Sequence, residues 1–190
     1  MFSGQFVLAQ LMRRLPRRPF DECVRRYRGN RRVRTLRCRD QFWCTAFAQL
    51  TFRESLRDLV TCLRAVRPKL YHAGLRGQVA RSTLADANER RDWHIWADFG
   101  AALIRQARRL YADDDIGVQL RQTAYVLDAT VIELCRSLFP WAHAQRGSGG
   151  IKLHTLMNLP GNIPCFLRVS STKASDASTL DHLIIEPGAY

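Results

Sequence analysis

The spacing of apolar residues changes near residue 118, and this change limits the possible folds more than any other feature of the sequence. Between residues 40 and 112, apolar side chains recur every three or four positions, which predicts amphipathic helices. Beyond that point they alternate with polar side chains, which predicts strands. We therefore expect an α+β chain with two domains, a helical one at residues 1–112 and a strand-containing one at residues 118–190.

Four helices are predicted in the first domain after its N-terminal segment. The first begins at Asp40. The second begins at Thr51, whose hydroxyl and Glu54 fit a capping box, and Pro68 is expected to end it. The other two predicted helices are a short one at 83–91, with Ser82 as its N-cap, and a longer one at 93–112.

Positive charge is concentrated in residues 13–39, which hold twelve arginines and two acidic residues and so carry +10 of the chain's net charge of +13. A cluster of this kind favours a polyanionic partner such as DNA. Pro16, Pro19 and Gly29-Asn30 interrupt any long helix, so we expect a short helix followed by an irregular arm. A solvated charged arm without a ligand is the alternative. The candidate phosphate contacts are Arg31, Arg32 and Arg34.

The predicted helix at 83–91 is a candidate recognition helix of a helix-turn-helix motif. Its two C-terminal arginines would contact phosphates, and Asn88 would contact a base edge. The alternative is an ordinary solvent-facing helix, because the linker that follows Pro68 is longer than the turn of a standard motif. The side chains that we expect at the DNA surface are Ser82, Thr83, Asn88, Arg90 and Arg91.

Three strands are predicted in the second domain. The run Tyr125–Ile132 is rich in strand-forming residues, and two alternating segments flank a Pro-Gly-Asn turn at 160–162, which predicts a hairpin. Asp128 lies in the middle of the apolar run, where a carboxylate must be paired or hydrated. It is therefore a candidate ligand of a divalent cation such as Mg²⁺, the ion that carboxylate oxygens suit. The alternative is an aspartate on the exposed face of a half-buried strand.

The six cysteines are scattered, without a Cys-x-x-Cys pair. This pattern argues against a zinc site and against a secreted disulfide framework. The apolar segment Phe6–Met12 is too short to span a membrane and lacks the charge order of a signal peptide. We expect a cytoplasmic protein with reduced thiols and no membrane partner.

A series of short motifs runs along nearly the whole chain in a fixed order. They are Asp40-Gln41-Phe42, Phe47-Ala48-Gln49-Leu50, Ser55-Leu56-Arg57-Asp58, Tyr71-His72-Ala73-Gly74, Arg81-Ser82-Thr83-Leu84-Ala85-Asp86-Ala87-Asn88, Tyr125-Val126-Leu127-Asp128, Leu138-Phe139-Pro140-Trp141-Ala142, Lys152-Leu153-His154-Thr155 and Gly161-Asn162-Ile163-Pro164. In this order they resemble the motifs of bacterial insertion-sequence transposases of the IS-four type. Those proteins often carry a helical N-terminal domain of undescribed function before a DDE-type catalytic domain.

The resemblance implies a function and a catalytic residue. Asp128 looks like the first Asp of the DDE triad, on the first strand of an RNase H-like fold, with Mg²⁺ as the cofactor. The implied activity is Mg²⁺-dependent DNA cleavage and strand transfer. The implied partner is double-stranded DNA at the inverted repeats of a transposon, in a bacterial, nucleoid-associated setting.

The sequence departs from the family pattern at three places. Ala129 and Val131 stand where relatives usually have hydroxyl residues, and Asn158 stands where they often have Asp. The segment Glu186–Tyr190 corresponds to the entry of the strand that bears the second Asp. We therefore expect the first three strands of the catalytic domain and a chain that does not cut DNA alone. Its open sheet edge would favour pairing with another copy or with a full-length transposase.

Two other functions are compatible with the same features. The chain could be a non-catalytic DNA-binding fragment that regulates or inhibits a full-length transposase by occupying transposon ends. It could also be a general basic nucleic-acid-binding protein, which would bind without regard to sequence and would not account for the ordered motifs.

Overall fold

The computed structural model describes residues 7–72, 74–75, 77–111, 124–134, 149–158 and 163–183. The chain divides into two compact units, Met1–Ala102 and Leu103–Tyr190. Within the described ranges there are eight helices and one three-stranded antiparallel sheet, which confirms the α+β prediction. The predicted linker between the two domains lies outside the described residues.

The bounds of the elements are as follows. The helices are α1 (Val7–Arg14), α2 (Arg17–Arg26), α3 (Cys38–Leu50), α4 (Leu56–Ala65), α5 (Arg67–His72), α6 (Arg81–Arg90), α7 (His94–Leu110) and α8 (Ala177–Leu180). The strands are β1 (Tyr125–Leu134), β2 (Gly149–Asn158) and β3 (Ile163–Ser171).

Part of the arginine-rich segment forms the helix α2, so the prediction of an irregular arm is wrong over Arg17–Arg26. Pro16 is the N-cap residue of α2 and Pro19 lies in its first turn, where the missing N–H of a proline has no helical partner to lose. Phe20, Cys23 and Val24 are buried. The segment is therefore anchored to the first unit by its apolar residues, and its arginines occupy the other positions of the helix.

The turn between α3 and α4 corrects the predicted start of the second helix. The Thr51 hydroxyl donates to the Phe47 carbonyl at 2.7 Å, so Thr51 closes α3 instead of opening α4. Ser55 is the N-cap of α4, because its hydroxyl accepts the backbone N–H of Asp58 at 3.1 Å. Pro68 does not end α4 either, since it lies in α5.

Two apolar clusters stabilise the first unit. Phe20, Phe42, Trp96 and Phe99 form an aromatic cluster with ring centroids 5.0–6.3 Å apart. The second cluster contains three buried residues of α4 and two of α6. Its buried members are Leu36, Trp43, Cys44, Leu59, Val60, Leu63, Leu70, Leu75, Val79, Leu84 and Ala87.

The sheet has the order β1-β2-β3, and all pairs are antiparallel. This confirms the three predicted strands, while the predicted turn at 160–162 lies outside the described residues. Asp128 of β1 is opposite Thr155 of β2, which in turn is opposite Leu167 of β3. A short helix, α8, forms in the segment after β3.

A polar cluster lies on one face of this sheet, and we call it the His154 cluster. It consists of Lys152, His154, Ser170 and Asp176. The His154 side chain is fully buried, and its Nε2 lies 2.8 Å from the Ser170 hydroxyl. Lys152 Nζ donates to Asp176 Oδ1 at 3.1 Å and to the Ala174 carbonyl at 3.0 Å. The segment after β3 is thus held against β2 by polar contacts.

The five cysteines in the described part of the chain are free thiols. Burial raises the pKa of the Cys44 thiol to about 12. Among the described helices, none is long and apolar enough to cross a membrane.

Candidate nucleic-acid interface

A concave surface of about 450 Å³ lies between the turn that follows α2 and the end of α6. We call it the basic cavity. Six arginines and two aspartates line it, so their formal charges sum to +4. Its lining residues are Tyr27, Arg28, Gly29, Arg31, Arg32, Val33, Arg34, Thr35, Leu36, Thr83, Asp86, Ala87, Arg90, Arg91 and Asp92.

The turn on one side of the basic cavity is held in place by close packing. A Cβ atom added to Gly29 would lie 2.5 Å from Ile95 Cδ1 and 2.7 Å from Cys38 Sγ, and both of these side chains are fully buried. The next residue, Asn30, accepts the backbone N–H of Cys38 through Oδ1 at 2.8 Å. The turn therefore lies directly against α7 and the start of α3, and only glycine fits at position 29.

Two arginines of this turn have a left-handed backbone. Arg28 has φ +51° and ends α2 in a Schellman motif: its N–H donates to the Arg25 carbonyl at 3.1 Å, and the Gly29 N–H donates to the Val24 carbonyl at 2.9 Å. Arg32 has φ +58° in the next turn. Glycine is usual at such positions, because a side chain there costs roughly 1–2 kcal/mol. Both arginines thus extend into the basic cavity lining from backbone positions that glycine would occupy at lower cost.

The arginines of the basic cavity differ in whether they have partners. Arg28, Arg31, Arg32, Arg34 and Arg90 are exposed, and in the described part of the chain none of their side chains has a hydrogen bond or ion pair. One of the two aspartates is already engaged, because Asp92 accepts the backbone N–H of His94 at 3.0 Å and lies 2.6 Å from its ring Nδ1. These bonds lower the pKa of Asp92. Positive charge is thus left facing solvent.

Arg91 is the exception, because its guanidinium is used inside the chain. It donates to the Gln41 side-chain oxygen and to the Leu36 carbonyl. Gln41 is buried in α3, and its amide also donates to Asn88 Oδ1 at 2.6 Å. Arg91 and Asn88 therefore connect α6 to α3, which is a structural role that the sequence did not predict.

The basic cavity brings together two groups of predicted residues that are far apart in the sequence. Arg31, Arg32 and Arg34 line it with Thr83, Arg90 and Arg91, whereas Ser82 and Asn88 do not. Ser82 is also not the N-cap of α6, since Ala80 has that position and makes no side-chain cap. The helix-turn-helix interpretation and the DNA contacts of these residues stay predictions. Arg28 was missed, although its place just before Gly29 could have marked it.

Three aromatic rings stand beside the basic cavity, and we call them the aromatic stack. The ring of His94 stacks with that of Tyr27 at 5.4 Å between centroids and with that of Trp93 at 3.9 Å. The Tyr27 hydroxyl and the Arg26 guanidinium both donate to Asp98 Oδ2, at 2.8 Å and 2.7 Å. These bonds, from Tyr27 first and then from Arg26, lower the pKa of Asp98.

Asp128 lies on the exposed face of β1, as the alternative interpretation expected. The Thr130 hydroxyl donates to its Oδ2 at 3.2 Å. Within the described ranges, no group of three or more His, Cys, Asp or Glu side chains could hold a metal ion. These residues thus supply no three-ligand Mg²⁺ site around Asp128, and its catalytic role stays a prediction.

The fold and the cavity define an α+β chain whose first unit is helical and carries a strongly basic concave surface. Residues 3–76 match a family model described as a domain of unknown function (DUF4372). The match covers less than half of the chain and ends before α6, although α6 forms one side of the basic cavity. No curated protein and no solved structure matches the chain.

Proposed function

We propose that the first unit is the DNA-binding domain of a transposase-type protein and that its basic cavity contacts the phosphates of double-stranded DNA at transposon ends. One observation carries the proposal: five arginines without an internal partner in the described residues face a single concave surface. Unpaired guanidinium groups repel one another, and a polyanion relieves that repulsion. The planar fork of arginine also donates two parallel bonds to a phosphate.

The backbone supports the same function. Two of these arginines, Arg28 and Arg32, occupy left-handed positions where glycine would cost less. Gly29 and Asn30 hold the turn against α7 and α3, so the backbone that bears these guanidinium groups has a defined position. Pre-ordering the contact residues reduces the entropy that is lost on binding.

The transposase assignment rests on the sequence. Residues 3–76 match a domain that is found in transposase-like proteins, and the ordered motifs point to the same class. In that class Asp128 would be the first metal-binding carboxylate, and bound Mg²⁺ would supply the chemistry of DNA cleavage and strand transfer. The described residues offer it no three-ligand set, so DNA binding is the activity that the geometry supports best.

The proposal can be tested by measuring how affinity depends on salt. Fluorescence anisotropy with a labelled DNA duplex gives the slope of log K against log salt concentration for the whole chain. Replacing Arg31, Arg32 and Arg34 with glutamine should reduce the magnitude of that slope by roughly 0.9 for each phosphate contact that is lost. It should also weaken binding at moderate salt by at least about tenfold.

A matched variant separates the basic cavity from the overall charge. Arg13, Arg14 and Arg25 are exposed arginines of the same segment that do not line the cavity. Replacing these three with glutamine changes the net charge equally, and we expect a clearly smaller change in the slope. Equal losses in the two triple variants would show that the duplex is attracted by net charge alone and would overturn the proposal.

A further inference from the structure

Trp93 is a tryptophan whose ring is mostly in water next to a strongly basic surface. It is 65% exposed, whereas Trp43 of the same unit is 3% exposed. Its neighbour Asp92 lines the basic cavity, and so does Tyr27 of the aromatic stack. Trp93 does not itself line the basic cavity, but its exposed ring is an aromatic face, open to a ligand, that adjoins two residues of the cavity lining.

The Trp93 ring is connected to the basic cavity through a series of stacked rings. It stacks on His94 at 3.9 Å and 25°, and His94 stacks in turn on Tyr27 at 5.4 Å and 20°. Bonds to Asp92 hold His94, and a bond to Asp98 holds Tyr27. Trp93 is therefore the exposed end of an aromatic stack whose other end, Tyr27, lines the basic cavity.

The chemistry of that surface suits a nucleobase. Every base has a flat π-face, and stacking on an aromatic side chain does not depend on the base sequence. In a continuous duplex those faces are covered by neighbouring base pairs, so only an unpaired base can reach the ring. Phosphates on either side of such a base would then lie near the arginines of the basic cavity.

We propose that Trp93 stacks on an unpaired base while the basic cavity holds the neighbouring phosphates, so that the chain prefers DNA with unpaired nucleotides to a fully paired duplex. This inference rests on the proposed function, because the phosphate contacts are the same. The Trp93 ring is a second recognition element, which distinguishes unpaired from paired DNA and does not depend on the identity of the base.

The test compares three probes of equal length by fluorescence anisotropy with the full chain. They are a single-stranded oligonucleotide, the same strand with abasic sites in place of its central nucleotides, and a fully paired duplex. The intact strand should bind best, and Trp93→Ala should weaken its binding by about tenfold, the effect of losing one stacked base. Binding of the abasic strand and of the duplex should change less than twofold.

Phe52→Ala is the matched control. Phe52 is 89% exposed in the same unit, and neither Phe52 nor its neighbours Thr51 and Arg53 line the basic cavity, so its loss should leave all three affinities unchanged. Thermal unfolding of both variants checks that the unit remains folded. If the intact and abasic strands bind equally, or if Trp93→Ala weakens both to the same extent, the inference is overturned while the proposed function stands. If no probe binds at low salt, the proposed function itself fails.

Discussion

The basic cavity and the His154 cluster are both polar, and they differ in whether their charges have partners. In the His154 cluster, Lys152 is bonded to Asp176 and Nε2 of the buried His154 ring is bonded to Ser170, while Nδ1 of that ring has no hydrogen bond among the described residues and lies 3.7 Å from Asp176 Oδ1. In the basic cavity, all but one of the arginines lack a partner within the described residues. A satisfied polar group stabilises the fold, whereas an unsatisfied charge at the surface is available to a ligand.

Arg91 lies in the basic cavity but, like the residues of the His154 cluster, its charge has partners within the chain. It lines the basic cavity, and yet its guanidinium is bonded to Gln41 and to the Leu36 carbonyl. Its position in a concave, positive surface therefore does not identify it as a DNA contact. Whether an arginine is bonded within the chain indicates its role better than its position in the cavity does.

The largest expected effect is on stability, from the His154 cluster. His154→Ala removes a fully buried ring and leaves the Ser170 hydroxyl without that partner, so we expect a loss of about 3 kcal/mol in the free energy of unfolding. Urea unfolding followed by circular dichroism measures it. Lys173→Ala, at an exposed position of the same unit, is the control and should change stability by less than about 0.5 kcal/mol. If His154→Ala lost DNA affinity when measured at equal folded fraction, the His154 cluster would also take part in binding, and the contrast with the basic cavity would fail.

The next largest effect concerns the turn that supports the arginines. Gly29→Ala should cost about 1–3 kcal/mol, because the new methyl group would overlap Ile95 and Cys38, and it should weaken DNA binding by displacing the turn. Gly74→Ala is a useful contrast. Gly74 has φ +94° and open space around its Cβ position, so this change should cost roughly 1–2 kcal/mol through backbone conformation alone and should not affect binding. Unchanged binding in Gly29→Ala would mean that the turn is not needed for the site.

A smaller effect of opposite sign is expected at Arg28. Arg28→Gly relieves a left-handed position and should stabilise the chain by up to about 1 kcal/mol, while DNA affinity falls because one phosphate contact is lost. Phe52 has the same backbone conformation, at φ +55°, at the end of α3. Phe52→Gly should therefore give a similar gain in stability without a change in affinity. Full DNA affinity in Arg28→Gly would show that Arg28 does not contact DNA.

The smallest effect is the pH dependence of the bonds around Asp98. The bond from Tyr27 and then that from Arg26 hold the pKa of this carboxyl below its ordinary value of 3.8. A carboxylate with a lowered folded pKa contributes stability above its unfolded pKa and loses that contribution as the pH falls through the folded pKa. The stability difference between wild type and Asp98→Asn should therefore be constant above about pH 5 and should shrink below pH 3.8. Urea titrations at several pH values measure it, with Asp21→Asn as the control; a difference that does not change with pH would contradict the assignment.

The sequence predicted the strands better than the helix boundaries. Alternation with a Pro-Gly-Asn turn has few other interpretations, and all three strands are present. Thr51 and Ser55 both precede an acidic residue by three positions and so compete as N-caps. The structure favours Ser55, because Thr51 bonds back to the Phe47 carbonyl, a contact within the preceding helix that the pattern did not distinguish.

The sequence also identified the charges of the basic cavity without identifying the cavity. Arg31 and Arg90 come together because Gly29 packs on Ile95 and because Arg91 reaches Leu36, and neither contact leaves a periodic pattern. Trp93 shows the same difficulty. Its residue type is common in cores, and only the structure shows that it is exposed while Trp96 belongs to the aromatic cluster.

The use of arginine in the basic cavity has a practical consequence for chemical modification. The first unit contains a single lysine, Lys69, and the lining of the cavity contains none. Acetyl transfer and amine-reactive dyes, which act on lysine, therefore leave the charge of this surface intact. Guanidinium groups also keep their proton at any pH a cell experiences. A dye attached through amines can thus report on ligand binding without altering the surface that binds.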